Sequence, residues 1–207
     1  MDLFSDTYRT ITSPVEGFFK DRGSKFISRA FPVASEKEVK DNLTKLRQEY
    51  YDARHHCYAY ILGADKSAYR INDDGEPSGT AGKPIHGQLL SHDLTNILVV
   101  VIRYFGGTKL GIPGLINAYR EATKDALNQA DIIEKLVTET ITISYDYPLM
   151  DVVMRFIKEN NINILETQFE ISCKVRLSVR KSKAAKTEES LKSIYGVKIE
   201  KGDKTDN

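Results

Sequence analysis

The chain has 207 residues, 41% of them hydrophobic, so it is long enough for one large domain or two small ones with true cores. Its 30 Lys and Arg residues nearly balance 29 Asp and Glu, and the net charge of +1 excludes a protein that attracts polyanions through overall charge. Cys57 and Cys173 have no paired spacing, and we find no signal peptide and no apolar stretch of membrane-spanning length. The composition therefore predicts a cytoplasmic protein with no membrane partner.

The first part of the chain predicts strands followed by one helix. Residues 8–33 alternate in polarity around a turn at residues 21–24, which is typical of a β-hairpin. Ser35 followed by Glu38 is a capping-box signature, and the apolar stripe behind it predicts a helix to about Tyr50.

A loop dense in turn-forming residues follows two further strands. The strands are predicted at residues 55–62 and 69–71, and the loop at residues 72–84 carries three acids, two hydroxyls and one base. Pro84 suits the first turn of a short helix that is expected to run through Leu90.

A second glycine-rich loop follows the most apolar stretch of the sequence. Residues 97–102 are all apolar, which predicts a strand buried on both faces. The loop at residues 103–115 contains four glycines and leads into a helix with apolar residues at three- and four-residue spacing. Free N–H groups and the helix dipole at such a junction favour a bound anion. The loop matches neither a Walker loop nor the dinucleotide-binding fingerprint, and glycines that merely permit a sharp turn are the alternative.

The hydrophobic pattern resets near Ile133, and the rest of the chain predicts a second domain. Strands are expected at residues 138–145, 162–169, 171–179 and 197–200, with helices from Pro148 and at residues 183–195. This β-α-β-β-α-β order is that of the ferredoxin-like fold. The sequence thus predicts an α+β protein with domains at residues 1–133 and 134–207, ending in a disordered polar tail at residues 202–207.

Two clusters of reactive side chains each have a chemical and a structural interpretation. His55, His56 and Cys57 resemble a metal cluster, but a strand places His56 on the opposite face, and the spacing of a four-ligand zinc site is missing. Nothing marks Cys57 as an activated nucleophile, so a buried thiol is the alternative. The carboxylates of residues 73–76 suit acid–base catalysis or a solvated turn. We predict no metal, no cofactor and no catalytic residue.

Two motifs make the chain resemble the IMPACT/YigZ family. They are Asp-Asp-Gly-Glu-Pro-Ser-Gly-Thr-Ala-Gly at residues 73–82, and Arg-Tyr-Phe-Gly-Gly with Leu-Gly within residues 103–111. Residues 25–27 and 56–60 also match, so the resemblance covers nearly the whole chain. The two-domain layout is similar to that of the bacterial branch of the family. The resemblance implies an N-terminal IMPACT domain that resembles the fourth domain of elongation factor G, and a C-terminal ferredoxin-like domain that resembles its fifth.

The sequence departs from the family pattern at the start of the helix after the second loop. Pro113 and Asn117 stand where a further glycine and a basic residue are expected. The missing charge weakens the case for a strong phosphate site.

The resemblance favours a binding protein over an enzyme. We predict a non-catalytic regulatory protein, a monomer or weak oligomer, that contacts RNA or the ribosome and its translation factors through the edge bearing both glycine-rich loops. A protein partner is an alternative, because eukaryotic relatives compete for the activator of a starvation kinase. A hydrolase or transferase that uses the same pocket, with His56 or Asp74 as base, is another.

The candidate binding residues surround the two loops. The predicted nucleic-acid or anion-binding residues are Lys25, His56, Asp74, Glu76, Ser78, Thr80, Lys83, Arg103, Tyr104, Gly106, Gly107, Lys109 and Arg120. Arg103 and Lys109 are expected to meet phosphates, and Tyr104 to stack on a base.

Overall fold

The computed structural model describes residues 6–169 and 172–200, which divide into two compact units. Residues 8–135 form one unit; Asp6, Thr7 and the described residues from Leu136 onward form the other. A domain boundary after Ile133 would fall inside a strand, Ile132–Leu136. The predicted polar tail and the first residue of the strand expected at residues 171–179 lie outside the described residues. No helix in the described ranges is long and apolar enough to cross a membrane.

The first unit is built on a five-stranded antiparallel sheet. Its elements, apart from the end residues Thr7 and Leu136 that belong to the other unit, are β1 (Thr7–Ile11), β2 (Val15–Asp21), β3 (Ser24–Pro32), α1 (Glu36–Glu49), β4 (His55–Leu62), β5 (Ala68–Asn72), α2 (Gly82–Ser91), β6 (Ile97–Tyr104), α3 (Gly111–Asn128) and β7 (Ile132–Leu136). The sheet order is β2-β3-β6-β4-β5, whereas β1 and β7 form a separate two-stranded sheet.

The central strand, β6, separates two hydrophobic cores. Its odd-numbered residues from Ile97 to Val101 pack with apolar residues of α2 and α3. Its even-numbered residues from Leu98 to Ile102 pack with those of α1. All of these side chains are buried, which confirms the prediction made from the continuous apolar run.

The second unit has a ferredoxin-like β-α-β-β-α-β fold. Its elements are β8 (Thr138–Tyr145), a 3₁₀ turn (Tyr147–Leu149), α4 (Met150–Glu159), β9 (Asn163–Phe169), β10 (Cys173–Arg180), α5 (Lys181–Ser193) and β11 (Lys198–Glu200). The strand order is β11-β8-β10-β9, so the first and third strands of the unit are central. Apolar side chains of both central strands pack with those of α4 and α5 in one core. The α+β class and the ferredoxin-like order are confirmed.

Strand register brings the two glycine-rich loops to one edge of the first unit's sheet. His55 at the start of β4 pairs with Arg103 near the end of β6, and Asn72 at the end of β5 pairs with Tyr58 of β4. The turn between β2 and β3 lies at the same edge, because Lys25 pairs with Tyr104. The loops that follow β5 and β6 therefore converge.

Candidate functional site

A buried ion pair joins the two glycine-rich loops. Arg103 Nη1 donates to Glu76 Oε1 at 2.6 Å, and only 8% and 3% of the two side-chain surfaces are exposed. The Tyr119 hydroxyl of α3 donates to the same oxygen at 2.8 Å. The guanidinium also lies 5.5 Å from the ring centroid of Phe26 and 5.7 Å from that of Phe105. A buried charge is costly unless it is paired, and Arg103 is paired with the carboxylate of Glu76. The sequence had predicted that Arg103 would bind an external phosphate.

The thiol of Cys57 extends this network and is not activated. Its Sγ lies 3.3 Å from the Tyr119 hydroxyl and 3.0 Å from the Asp73 carbonyl oxygen. Burial raises the pKa of Cys57 far above its usual value, and burial likewise raises the pKa of Tyr119. A buried neutral thiol is a poor nucleophile, so this environment supports a structural role for Cys57.

The carboxylate of Asp73 occupies the anion position of the first loop. Its Oδ1 accepts hydrogen bonds from the amides of Ala81 and Gly82 at 3.0 and 2.8 Å, and its Oδ2 accepts one from Gly79 at 2.8 Å. Gly82 is the first residue of α2, so Asp73 uses the N–H groups and the helix dipole that would otherwise attract a phosphate. The first loop thus binds its own anion.

Asp74 ties α1 and β4 to the same loop. Its Oδ2 accepts a hydrogen bond from the His56 amide at 2.7 Å, and its Oδ1 accepts one from Arg47 Nη2 at 2.9 Å. Burial alone raises the pKa of Asp74, but the His56 amide and the Arg47 charge more than offset this and hold it below the usual value. Burial, reinforced by Arg47, lowers the pKa of His56. Asp74 is therefore engaged within the fold, whereas the His56 imidazole is buried and its Nε2 has no hydrogen-bond partner among the described residues.

The histidine and cysteine cluster of β4 is likewise used within the fold. Nδ1 of His55 hydrogen-bonds to the Asp74 carbonyl oxygen at 2.8 Å, while His56 and Cys57 are buried. Within residues 6–169 and 172–200, no group of three or more His, Cys, Asp or Glu side chains is arranged to hold a metal ion.

Three of the predicted binding residues have backbone or packing roles. Thr80 is buried, and its hydroxyl donates to the Pro77 carbonyl at 2.7 Å. A Cβ on Gly106 would lie 1.9 Å from the carbonyl carbon of Gly23, so only glycine lets this loop pack on the turn between β2 and β3. Gly107 has a φ of +89°, in the left-handed region that favours glycine.

Exposed cations surround this packed centre. Apart from Gly106 and Gly107, the predicted residues that are exposed are Lys25, Ser78, Lys83, Lys109 and Arg120. Lys25, Lys83 and Lys109, here called the basic rim, lie next to the turn and the two loops and form no ion pair with any other described residue. Arg120 lies farther away, about 13 Å along α3 from its first residue.

A cleft of about 430 Å³ opens beside Arg103. Its lining residues are Asp52, Ala53, Arg54, His55, Arg103, Tyr104 and Phe105. The Tyr104 hydroxyl donates to Asp52 Oδ1 at 2.7 Å, and burial together with Asp52 raises the pKa of Tyr104 to about 12. Phe105 is 58% exposed and is the freer aromatic ring, although Tyr104 was the predicted one. Asp52 and Arg54 were not predicted either, since they lie outside both motifs.

The family model and the curated relatives name one family. Residues 22–127 match the model of the Impact N-terminal domain. The chain is 32% identical over 163 residues to IMPACT family member YvyE of Bacillus subtilis, covering 79% of this chain and 75% of that protein. It is 31% identical over 175 residues to IMPACT family member YigZ of Escherichia coli, covering 84% and 86%. A crystal structure described as a hypothetical protein aligns with a TM-score of 0.74 at 27% identity, covering 97% of this chain and 100% of the other.

Proposed function

Because the chain belongs to the IMPACT family, we propose that it is a non-catalytic regulatory protein that contacts single-stranded RNA, alone or in the translation machinery. The contact surface is the edge with the basic rim. The observation that carries this proposal is the buried network around Arg103 and Glu76, which engages polar groups that catalysis would need. The exposed lysines around it are left to solvent or a ligand.

The charges limit how strongly this edge can bind RNA. The basic rim, Arg54 and Arg120 are exposed, so they supply five cations on or near the edge of a chain whose net charge is only +1. We expect about three to five phosphate contacts, and therefore a log–log salt slope of roughly −2 to −4 for a single strand. Binding is weak and falls with salt, as suits a reversible regulatory contact.

Fluorescence anisotropy with an unstructured oligoribonucleotide across a salt series tests the proposal. Lys109→Ala should weaken binding to all sequences alike and flatten the slope by about 0.7, because a phosphate contact carries no base information. Lys40→Ala removes a lysine that is also exposed, from α1 on the other face of the sheet, and should change neither quantity.

Two outcomes would overturn this proposal. Absence of binding even at low salt would exclude direct RNA recognition and leave a protein partner as the better candidate. Tight binding that ignores salt would exclude the basic rim as the contact surface.

A further inference from the structure

The cleft beside Arg103 has chemistry beyond that of a phosphate-binding rim. Its volume of about 430 Å³ lies within the range of roughly 300–1,000 Å³ that is usual for small-ligand sites. The Phe105 ring offers an exposed apolar surface, and a carboxylate, two guanidinium groups and an imidazole supply the polar lining. An aromatic surface beside a few polar groups is how proteins hold a splayed base.

The polar lining has a defined pattern of donors and acceptors. The Asp52 carboxylate only accepts hydrogen bonds, and its bond from Tyr104 fixes it against the cleft wall. Guanidinium groups only donate, and the exposed fork in the cleft is that of Arg54, because Arg103 is buried and paired with Glu76. Nδ1 of His55 bonds to the Asp74 carbonyl oxygen at 2.8 Å and is the donor in that bond, because a carbonyl oxygen only accepts. The cleft therefore combines a fixed carboxylate with forked donors.

We propose that this cleft holds one unpaired guanine base of an RNA strand, stacked on Phe105. Guanine carries two adjacent donors, N1–H and N2–H₂, which match the two oxygens of Asp52, and the acceptor pair O6 and N7, which matches a guanidinium fork. Adenine, cytosine and uracil do not offer two adjacent donors on one edge. Lys25 is exposed and is the register partner of the cleft residue Tyr104, so it is the basic-rim residue assigned to the phosphate of the same nucleotide. This inference rests on the proposed function and adds base selectivity to it.

The test compares short oligouridines that carry a single central guanine, adenine or cytosine, measured by fluorescence anisotropy at low salt. The guanine oligomer should bind about fivefold or more tightly than the others, the discrimination expected of a bidentate pair. Asp52→Asn should abolish this preference, so that the guanine oligomer binds no more tightly than the adenine and cytosine oligomers. Circular dichroism verifies that the variant is folded.

A pair of matched phenylalanine variants tests the stacking surface. Phe105→Leu should weaken binding of every oligomer by about fivefold or more, because base–aromatic stacking does not depend on sequence. Phe18→Leu makes the same change on β2 at a residue that is 49% exposed and outside the cleft, and it should have no effect.

The outcomes separate this inference from the function on which it rests. Equal affinity for all oligomers, preference for another base, or a guanine preference that survives Asp52→Asn would overturn the guanine site while RNA binding stands. Loss of all binding by the unaltered protein would overturn both.

Discussion

Replacing Arg103 by methionine should destabilise the first unit far more than removing a surface charge. The change keeps the apolar stem but leaves Glu76 without its cation in a site where only 3% of its side-chain surface is exposed. Removing one partner of a buried pair costs about 3–5 kcal/mol in unfolding free energy. The double variant Arg103→Met, Glu76→Gln should recover part of that loss, because the neutral amide no longer needs a cation and can still accept from Tyr119.

Urea unfolding followed by far-UV circular dichroism measures the effect, since the chain has no tryptophan for fluorescence. With a slope of about 1–3 kcal/mol per molar urea, the midpoint for Arg103→Met should fall by at least about 1 M. Lys37→Met breaks an exposed 3.0 Å pair with Asp41 and should lower the urea midpoint far less, because solvent screens an exposed pair. If Arg103→Met costs no more than this control and the double variant recovers nothing, the pair is not structural and Arg103 is available to an external anion.

Three further perturbations address other parts of the site. Gly106→Ala should lower the free energy of unfolding by roughly 2 kcal/mol or more, because its Cβ meets the Gly23 backbone. Gly87→Ala, whose Cβ meets nothing within 4 Å, should raise it by up to about 1 kcal/mol. The melting temperatures of the two variants distinguish these outcomes. The buried thiol of Cys57, with its raised pKa, should resist iodoacetamide in the native protein and react once urea unfolds it. The pKa of Asp74 is lowered from 3.8, so its contribution to stability is present above pH 3.8 and is lost as the pH falls through the pKa of the folded state. In urea titrations at decreasing pH, the difference in unfolding free energy between the unaltered protein and Asp74→Asn should therefore shrink.

Local signals in the sequence were sufficient for most helices and strands. Ser35 caps α1 through a 3.3 Å bond from the Glu38 amide, and the helix ends at Glu49, one residue before the predicted end. The strand predicted at residues 55–62 has those bounds in the structure. Capping, periodicity and turn chemistry act over a few residues, so a single sequence shows them. The strand β7 was not predicted, because its partner β1 is more than 100 residues away.

The convergence of the two loops was anticipated, but the partners within them were not. Arg103 finds Glu76 27 residues earlier in the chain, and Tyr119 reaches the same carboxylate across 43 residues. A turn carboxylate that is solvated and one that caps a helix, as Asp73 does, look alike in sequence. Phe105 was overlooked because strand alternation ends at Tyr104 and no longer determines where the next side chain lies.

The position of β6 at the centre of the sheet has a consequence for how the protein is made. β3 and β4 do not pair with each other; each pairs with β6, which leaves the ribosome after both. At about 5–20 residues per second, the stretch from Leu62 to Tyr104 takes roughly 2–8 s to synthesise. During that interval the β2–β3 and β4–β5 hairpins each keep an unpaired edge open to other chains. Insertion of β6 closes both edges in one step, so the sheet of the first unit completes only when the second glycine-rich loop is being added.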